Sequence, residues 1–240
     1  MLLISVFCLL IWISRSYTIN EVEEVHASDN LEILFWNSQH SKGLKEAFEA
    51  NQGVPELCVL VECNMESTRY AEQNFPNSHF YLSEEGIGVF SKKPISKLNE
   101  VTSKDNSTIL SFDYEGCAFY AIDISASLFN NRRHSFSFLK SELRAKTNVV
   151  VLGDFNTPIE SMHYSFLKSN FNNVFEVKGN GFRETWFWNI PVLALDHIWV
   201  SNDLSITETE KINTWESDHS LIRTKILVSK GSTMNFGSPH

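Results

Sequence analysis

The decapeptide Val149-Val150-Val151-Leu152-Gly153-Asp154-Phe155-Asn156-Thr157-Pro158 decides the reading of this chain. Four aliphatic residues stop at a glycine and deliver a carboxylate and a carboxamide two positions apart. Alternate side chains of a strand share a face, so Asp154 and Asn156 leave the strand together at the rim of a sheet. Asp, Asn and Pro are also ordinary turn residues, so this stretch alone is equally compatible with a plain turn.

Other strand ends repeat the pattern. Leu31, Ile33 and Phe35 alternate with Glu32, Leu34 and Trp36 before Asn37, and the apolar run Cys58 to Val61 terminates in Glu62. A carboxylate directly after four apolar residues is costly to bury unless a cation or a hydrogen-bond donor meets it. Asp196 and His197 lie inside the hydrophobic run Leu193 to Val200, and Asp218 and His219 precede the last apolar run, Leu221 to Leu227. Singly, each has a plain explanation: Asn37 as a helix cap, Glu62 as the partner of an arginine, an Asp-His pair as surface chemistry. Five such ends in one chain are hard to explain as independent accidents.

Taken in order, F-W-N at 35 to 37, L-V-E at 60 to 62, G-I-G-V-F-S-K-K-P-I at 86 to 95, V-L-G-D-F-N at 151 to 156, L-D-H-I at 195 to 198 and S-D-H at 217 to 219 carry a resemblance. The chain resembles the endonuclease/exonuclease/phosphatase superfamily, the magnesium-dependent phosphoesterases related to pancreatic-type deoxyribonuclease, abasic-site endonucleases and neutral sphingomyelinases. The resemblance spans about residues 31 to 228 and implies a four-layer α/β sandwich, two packed mixed β-sheets flanked by helices, with the site at one edge. It implies divalent-metal-dependent hydrolysis of phosphoester bonds, of phosphodiesterase or endonuclease type. Magnesium is the expected cofactor, with manganese as the alternative. The substrate would be a nucleic acid, a phospholipid headgroup or a small phosphodiester.

The same resemblance assigns roles. Glu62 would be the principal metal ligand with Asn37 beside it, and Asp218 would complete the metal or water shell. Asp154 would orient or deprotonate the attacking water, Asn156 would donate to the developing negative oxygen, and His219 would contact the phosphate. Asp196 would hold His219 as the imidazolium. Two positions depart from the family pattern: Gln39 stands where many relatives carry an acid, and Asp123 where many carry a histidine or tyrosine. An ionised carboxylate cannot donate to phosphate, so Asp123 is expected either to recruit the metal or to pair with Arg132 or Arg133. His197 and Trp186 are within reach of substrate in principle, although packing is the commoner role for both. The rival to an enzyme is a binding or signalling module that keeps the fold and has lost turnover at Asp123.

Composition fits one globular unit. The chain has 240 residues, 42% hydrophobic, with 18 Phe and 6 Trp, enough for a single substantial core. Its formal charge of −9 supplies no general positive field for a polyanion, which argues against a processive or nonspecific nuclease; Lys92, Lys93, Arg132 and Arg133 are the local basic spots. A monomer is expected. Residues 1–30 read as an apolar leader with an acidic linker, 31–228 as the catalytic domain and 229–240 as a frayed tail. Leu2 to Ile13 is too short for a comfortable span and fits a signal core or a membrane anchor. An exported protein, periplasmic or extracellular, or a membrane-associated one is therefore expected. Cys58 and Cys117 lie in apolar strand contexts and read as core thiols.

Strands are expected near 31–37, 57–62, 79–82, 87–91, 108–113, 117–124, 148–152, 193–201 and 221–228. Helices are expected over 42–49, 68–75, 132–144 and 159–168, with Pro158 in the first turn of the last. Loops 99–107, 125–131 and 178–192 would carry specificity.

Overall fold

A computed structural model describes residues 2–21, 30–127 and 131–228. Along the first half run α1 (Leu2–Ser16), β1 (Tyr17–Thr18), β2 (Asn30–Asn37), α2 (Leu44–Asn51), β3 (Leu57–Val61), α3 (Glu66–Asn74), β4 (His79–Leu82), β5 (Gly88–Ser91), β6 (Ser96–Thr102) and β7 (Thr108–Tyr114). The second half begins with β8 (Cys117–Asp123), α4 (Arg132–Glu142), β9 (Val149–Asp154), a 3-10 turn at Met162–Tyr164, α5 (Ser165–Lys168) and β10 (Phe171–Asn173). It ends with α6 (Val174–Lys178), β11 (Gly181–Phe182), β12 (Asp196–Ser201), β13 (Ser205–Ile212) and β14 (Leu221–Leu227).

Two six-stranded sheets result, ordered β13-β14-β2-β3-β5-β4 and β10-β12-β9-β8-β7-β6. Each is mixed, with one parallel pair, β2 with β3 and β8 with β9. Strands buried on both faces read as continuous apolar runs, and Leu57–Val61 and Val149–Leu152 are such runs. The period-two pattern of β2 fixes its faces. Leu31, Ile33 and Phe35 meet Phe112, Phe119, Leu152 and Val200 of the facing sheet. Leu34 and Trp36 turn outward onto Leu44, Ala47 and Phe48 of α2 and Ala71 of α3. On the far side, Tyr120, Val151 and Trp199 pack under Phe136 and Leu139 of α4, Tyr164 and Leu167. Helices, sheet, sheet and helices make the four layers, and each fully buried Phe or Leu contributes about 1.5–3 kcal/mol.

Several boundaries differ from expectation. Five strands, the two-residue β1 and β11 together with β6, β10 and β13, carry no expectation from the sequence. β6 and β13 are edge strands, and β6 is mostly exposed, so neither needs an apolar alternation. The helix expected over 159–168 is broken: a turn follows Pro158, Ser161 caps the 3-10 turn by accepting from the His163 N–H, and only Ser165–Lys168 is α-helical. β12 opens at Asp196 instead of residue 193. The expected apolar leader forms α1, which at 15 residues is about 22 Å long. No helix among the described residues is long and apolar enough to cross a membrane. Trp12 stacks on Phe182 at 5.3 Å, and β1 pairs with β11. Cys58 and Cys117 are buried free thiols, as is Cys63. Most of the acidic linker, the tip of loop 125–131 and the 229–240 tail lie outside the described residues.

Candidate active site

Sheet register builds the site. Asp154, the last residue of β9, stands opposite Asp123 of β8 on one side and Asp196 of β12 on the other. Three aspartates thus occupy one row across three neighbouring strands, on the same sheet face. The close approach of β8 to β9 requires the glycine before them: a Cβ at Gly153 would lie 2.0 Å from the Ile122 carbonyl oxygen. Past the strand, Asn156 adopts φ +45°, its N–H donates to Asp154 Oδ1 at 2.7 Å, and its Nδ2 donates to the Ile124 carbonyl at 2.7 Å.

The second sheet supplies Asn37 from the end of β2 and Glu62 immediately after β3. Asn37 Nδ2 donates to Asp154 Oδ2 at 2.9 Å and to Glu62 Oε1 at 3.1 Å, linking the ends of the two sheets. Its orientation is fixed, because Oδ1 accepts the Gln39 N–H at 2.9 Å and only an oxygen can do so. To serve as an oxygen ligand, Asn37 would have to give up that bond.

His219 comes from the loop ahead of β14. That loop is strapped to β2: Ser217 Oγ donates to the Asn37 carbonyl at 2.9 Å and accepts the His219 N–H at 3.1 Å, while Trp36 Nε1 donates to the His219 carbonyl at 3.0 Å. His219 Nδ1 then lies 2.7 Å from Asp196 Oδ2, and Nε2 lies 4.0 Å from both Asp154 Oδ2 and Asp218 Oδ1. Burial opposes charge on this ring, but the Asp196 carboxylate and its hydrogen bond, with Asp154 and Asp218 beyond, outweigh burial and push the imidazole up to about 10. It is an imidazolium at neutral pH. Its Nε2 makes no hydrogen bond among the described residues, so one charged donor faces the site unspent.

Burial and then the neighbouring Glu62 and Asp196 charges raise Asp123 to about 7. Asp154, fully buried beside Asp196, is also displaced well upward. The expected alternative of an Asp123 salt bridge is corrected here. Among the described residues no ion pair joins Asp123 to Arg132 or Arg133, and the Arg132 guanidinium donates instead to the Ser125 carbonyl. Asp123 belongs to the carboxylate row.

His197 takes the packing role. It is buried against Phe155, Tyr164 and Trp199, and burial pushes its imidazole down to about 4. Trp186 Nε1 donates to Asp218 Oδ2 at 2.9 Å, and its backbone forms an isolated β-bridge with that of His219. Thr185 Oγ1 accepts from the Leu195 and Asp196 N–H groups and holds the start of β12. Thr185 and Ser217 carried no expectation from the sequence; the serine of S-D-H was the available signal.

The donor set fits a hard divalent cation. Glu62, Asp123, Asp154, Asp196 and Asp218 converge with a single imidazolium, and Asp154, Asp196 and His219 offer ligand atoms within 4.8 Å of one another. Like charges so close repel unless protonated or neutralised by a cation. In that trio, Asp196 and His219 already satisfy each other. The Glu62 side chain, 26% exposed, is more open to solvent than that of Asp218 at 15% or the buried Asp154 and Asp196.

Several solved structures share the fold. An endonuclease/exonuclease/phosphatase family protein from Bacteroides thetaiotaomicron matches with a TM-score of 0.63 at 14% identity, over 82% of this chain and 97% of that one. TDP2 from D. rerio, complexed with a single-strand DNA product, matches at 0.60 and 16%, over 84% and 100%. A mannosyl-6-phosphatase from Bacteroides thetaiotaomicron matches at 0.63 and 13%, over 82% and 100%. No curated protein matches. With the two packed mixed sheets in place and the family model covering residues 22–219, the chain belongs to the endonuclease/exonuclease/phosphatase family.

Proposed function

We propose that this chain is a divalent-metal-dependent hydrolase of phosphoester bonds, with residues 31–228 as its catalytic domain. The observation that carries the reading is the His219 imidazolium, held by Asp196 at 2.7 Å and presenting a free Nε2 donor beside buried Asp154. Phosphoester hydrolysis needs a neutralised phosphate, an activated water and help for the leaving oxygen. Glu62 would hold magnesium, with Asp218 completing the metal or water shell, and the ion would supply charge neutralisation at the phosphate. His219 Nε2 donates to a phosphoryl oxygen, and its charge grows in value as negative charge develops there. Asp154 accepts a hydrogen bond from the attacking water and takes its proton; its raised affinity for protons suits a general base. Asn37 fixes Asp154 by occupying Oδ2, leaving the water to approach the open lone pairs of the carboxylate. Asn156 spends one amide hydrogen on Ile124 and keeps the second for the leaving oxygen.

The formal charge of −9 favours a low-molecular-weight phosphoester over a long polyanion. Purified protein assayed with magnesium on a phosphosugar, a small phosphodiester, a phospholipid and single-stranded DNA tests this. Turnover of the first two above the DNA, with little salt dependence, is the expected result. A salt-steep preference for DNA would assign the chain to the nucleases, and no turnover of any would favour the binding module.

A further inference from the structure

We infer that His40 is a second protein ligand of the cation anchored by Glu62, and that this carboxylate–imidazole pair sets which divalent ion the chain takes. The inference rests on the proposed metal dependence and adds a residue outside the motifs. Segment 38–40 is strapped to the end of β3: the Ser38 N–H donates to the Val61 carbonyl at 3.0 Å, Ser38 Oγ to the Glu62 carbonyl at 3.0 Å, and the His40 N–H to the same carbonyl at 2.8 Å. Gln39, His40 and Glu62 all lie in the left-handed region, with φ of 53°, 55° and 53°. Non-glycine residues persist there when their surroundings over-determine them, and such residues cluster at functional sites.

The outcome of this backbone is that His40 Nε2 stands 3.3 Å from Glu62 Oε2. Two adjacent ligands of an octahedral ion, each about 2.1 Å from it, are about 3 Å apart. The imidazole side chain is 77% exposed, so the remaining positions around the ion stay open. An ordinary exposed ion pair contributes little and gives no reason for two consecutive left-handed residues. The same segment removes a competitor, because the Gln39 N–H occupies Asn37 Oδ1 and leaves Glu62 in need of another neutral donor. Imidazole favours borderline ions such as zinc or nickel, whereas all-oxygen sets favour magnesium.

The test uses the metal-stripped full chain loaded with manganese and read by electron spin-echo envelope spectroscopy. Nitrogen coupling is expected in the wild type and in His219→Ala, and lost in His40→Ala. In parallel calorimetric titrations, His40→Ala should weaken zinc at least about tenfold while leaving magnesium within about twofold, and His40→Asp should favour magnesium. Nitrogen coupling that survives in His40→Ala overturns the assignment, as does equal weakening for every cation, since loss of a nitrogen ligand weakens zinc more than magnesium. Glu62→Gln separates the two levels. Unchanged cation binding in that variant removes the anchor itself, whereas loss of binding there with no effect of His40→Ala removes His40 alone.

Discussion

Replacing Asp196 with Asn removes the charge that keeps His219 protonated while preserving shape. Asp196 Oδ2 sits 2.7 Å from Nδ1, and the pair lifts the imidazole to about 10 from its ordinary 6.5. Without that charge, burial pulls the ring back down, and Asp154 and Asp218, both 4.0 Å from Nε2, retain only part of the lift. At about pH 8 a group titrating near 6.5 is only about 3% protonated, so loss of the imidazolium alone lowers the rate by up to about 30-fold. At about pH 5.5 the same ring is about 90% protonated, and the loss shrinks to less than about twofold. The assay is the pH profile of kcat/KM on whichever phosphoester the enzyme turns over, with the nitrogen chemical shifts of His219 followed alongside. The wild-type alkaline limb should extend toward pH 10 and that of Asp196→Asn should retreat by up to about three units. A loss of equal size at every pH, or an unmoved limb, refutes the reasoning.

Three further outcomes follow from the same charges and contacts. Asp123→Asn should raise the melting temperature of the metal-free protein at about pH 8 and do little at about pH 3.5, since a carboxyl raised to about 7 destabilises the fold once the unfolded chain ionises above 3.8; differential scanning calorimetry without and with magnesium reads this, and the gain should shrink when cation is present. Between about pH 6.5 and pH 4 the wild type should lose up to about 3 kcal/mol relative to His197→Phe, because a buried ring lowered to about 4 contributes stability only while the unfolded chain is neutral; denaturant titrations of both proteins at the two pH values check it. Gly153→Ala should cost at least about 3 kcal/mol or prevent folding, because its Cβ meets the Ile122 carbonyl oxygen at 2.0 Å; urea melts would show it, and a neutral effect would contradict the strand approach.

The strands that were legible are those whose side chains had to declare a buried face. β2, β3, β9 and β14 read from apolar runs, and the polar groups at or beside their ends, Asn37, Glu62, Asp154 and His219, gather at one rim. β6 and β13 were silent because strands so polar and so little buried are held by backbone pairing, which leaves little trace in residue type. The break in the segment after Pro158 came from a serine cap that competes with the helix, a choice that apolar spacing does not register. Partnership across long separations was the other blind spot. Asp123 had arginines nine and ten residues away in sequence, but sheet register placed it beside Asp154 instead. The supports of the site, Ser217 under Asn37, Trp186 on Asp218 and Thr185 at β12, act through loops whose contacts no local pattern encodes.

The most direct test of metal-dependent phosphoester hydrolysis is the magnesium dependence of turnover by metal-stripped protein, for wild type and Glu62→Gln side by side, with circular dichroism confirming the fold. Hydrolysis that needs added divalent ion in the wild type and is reduced to background in Glu62→Gln, at unchanged fold, is the predicted result. Turnover by the wild type that survives chelation, or near wild-type magnesium dependence in Glu62→Gln, would contradict it.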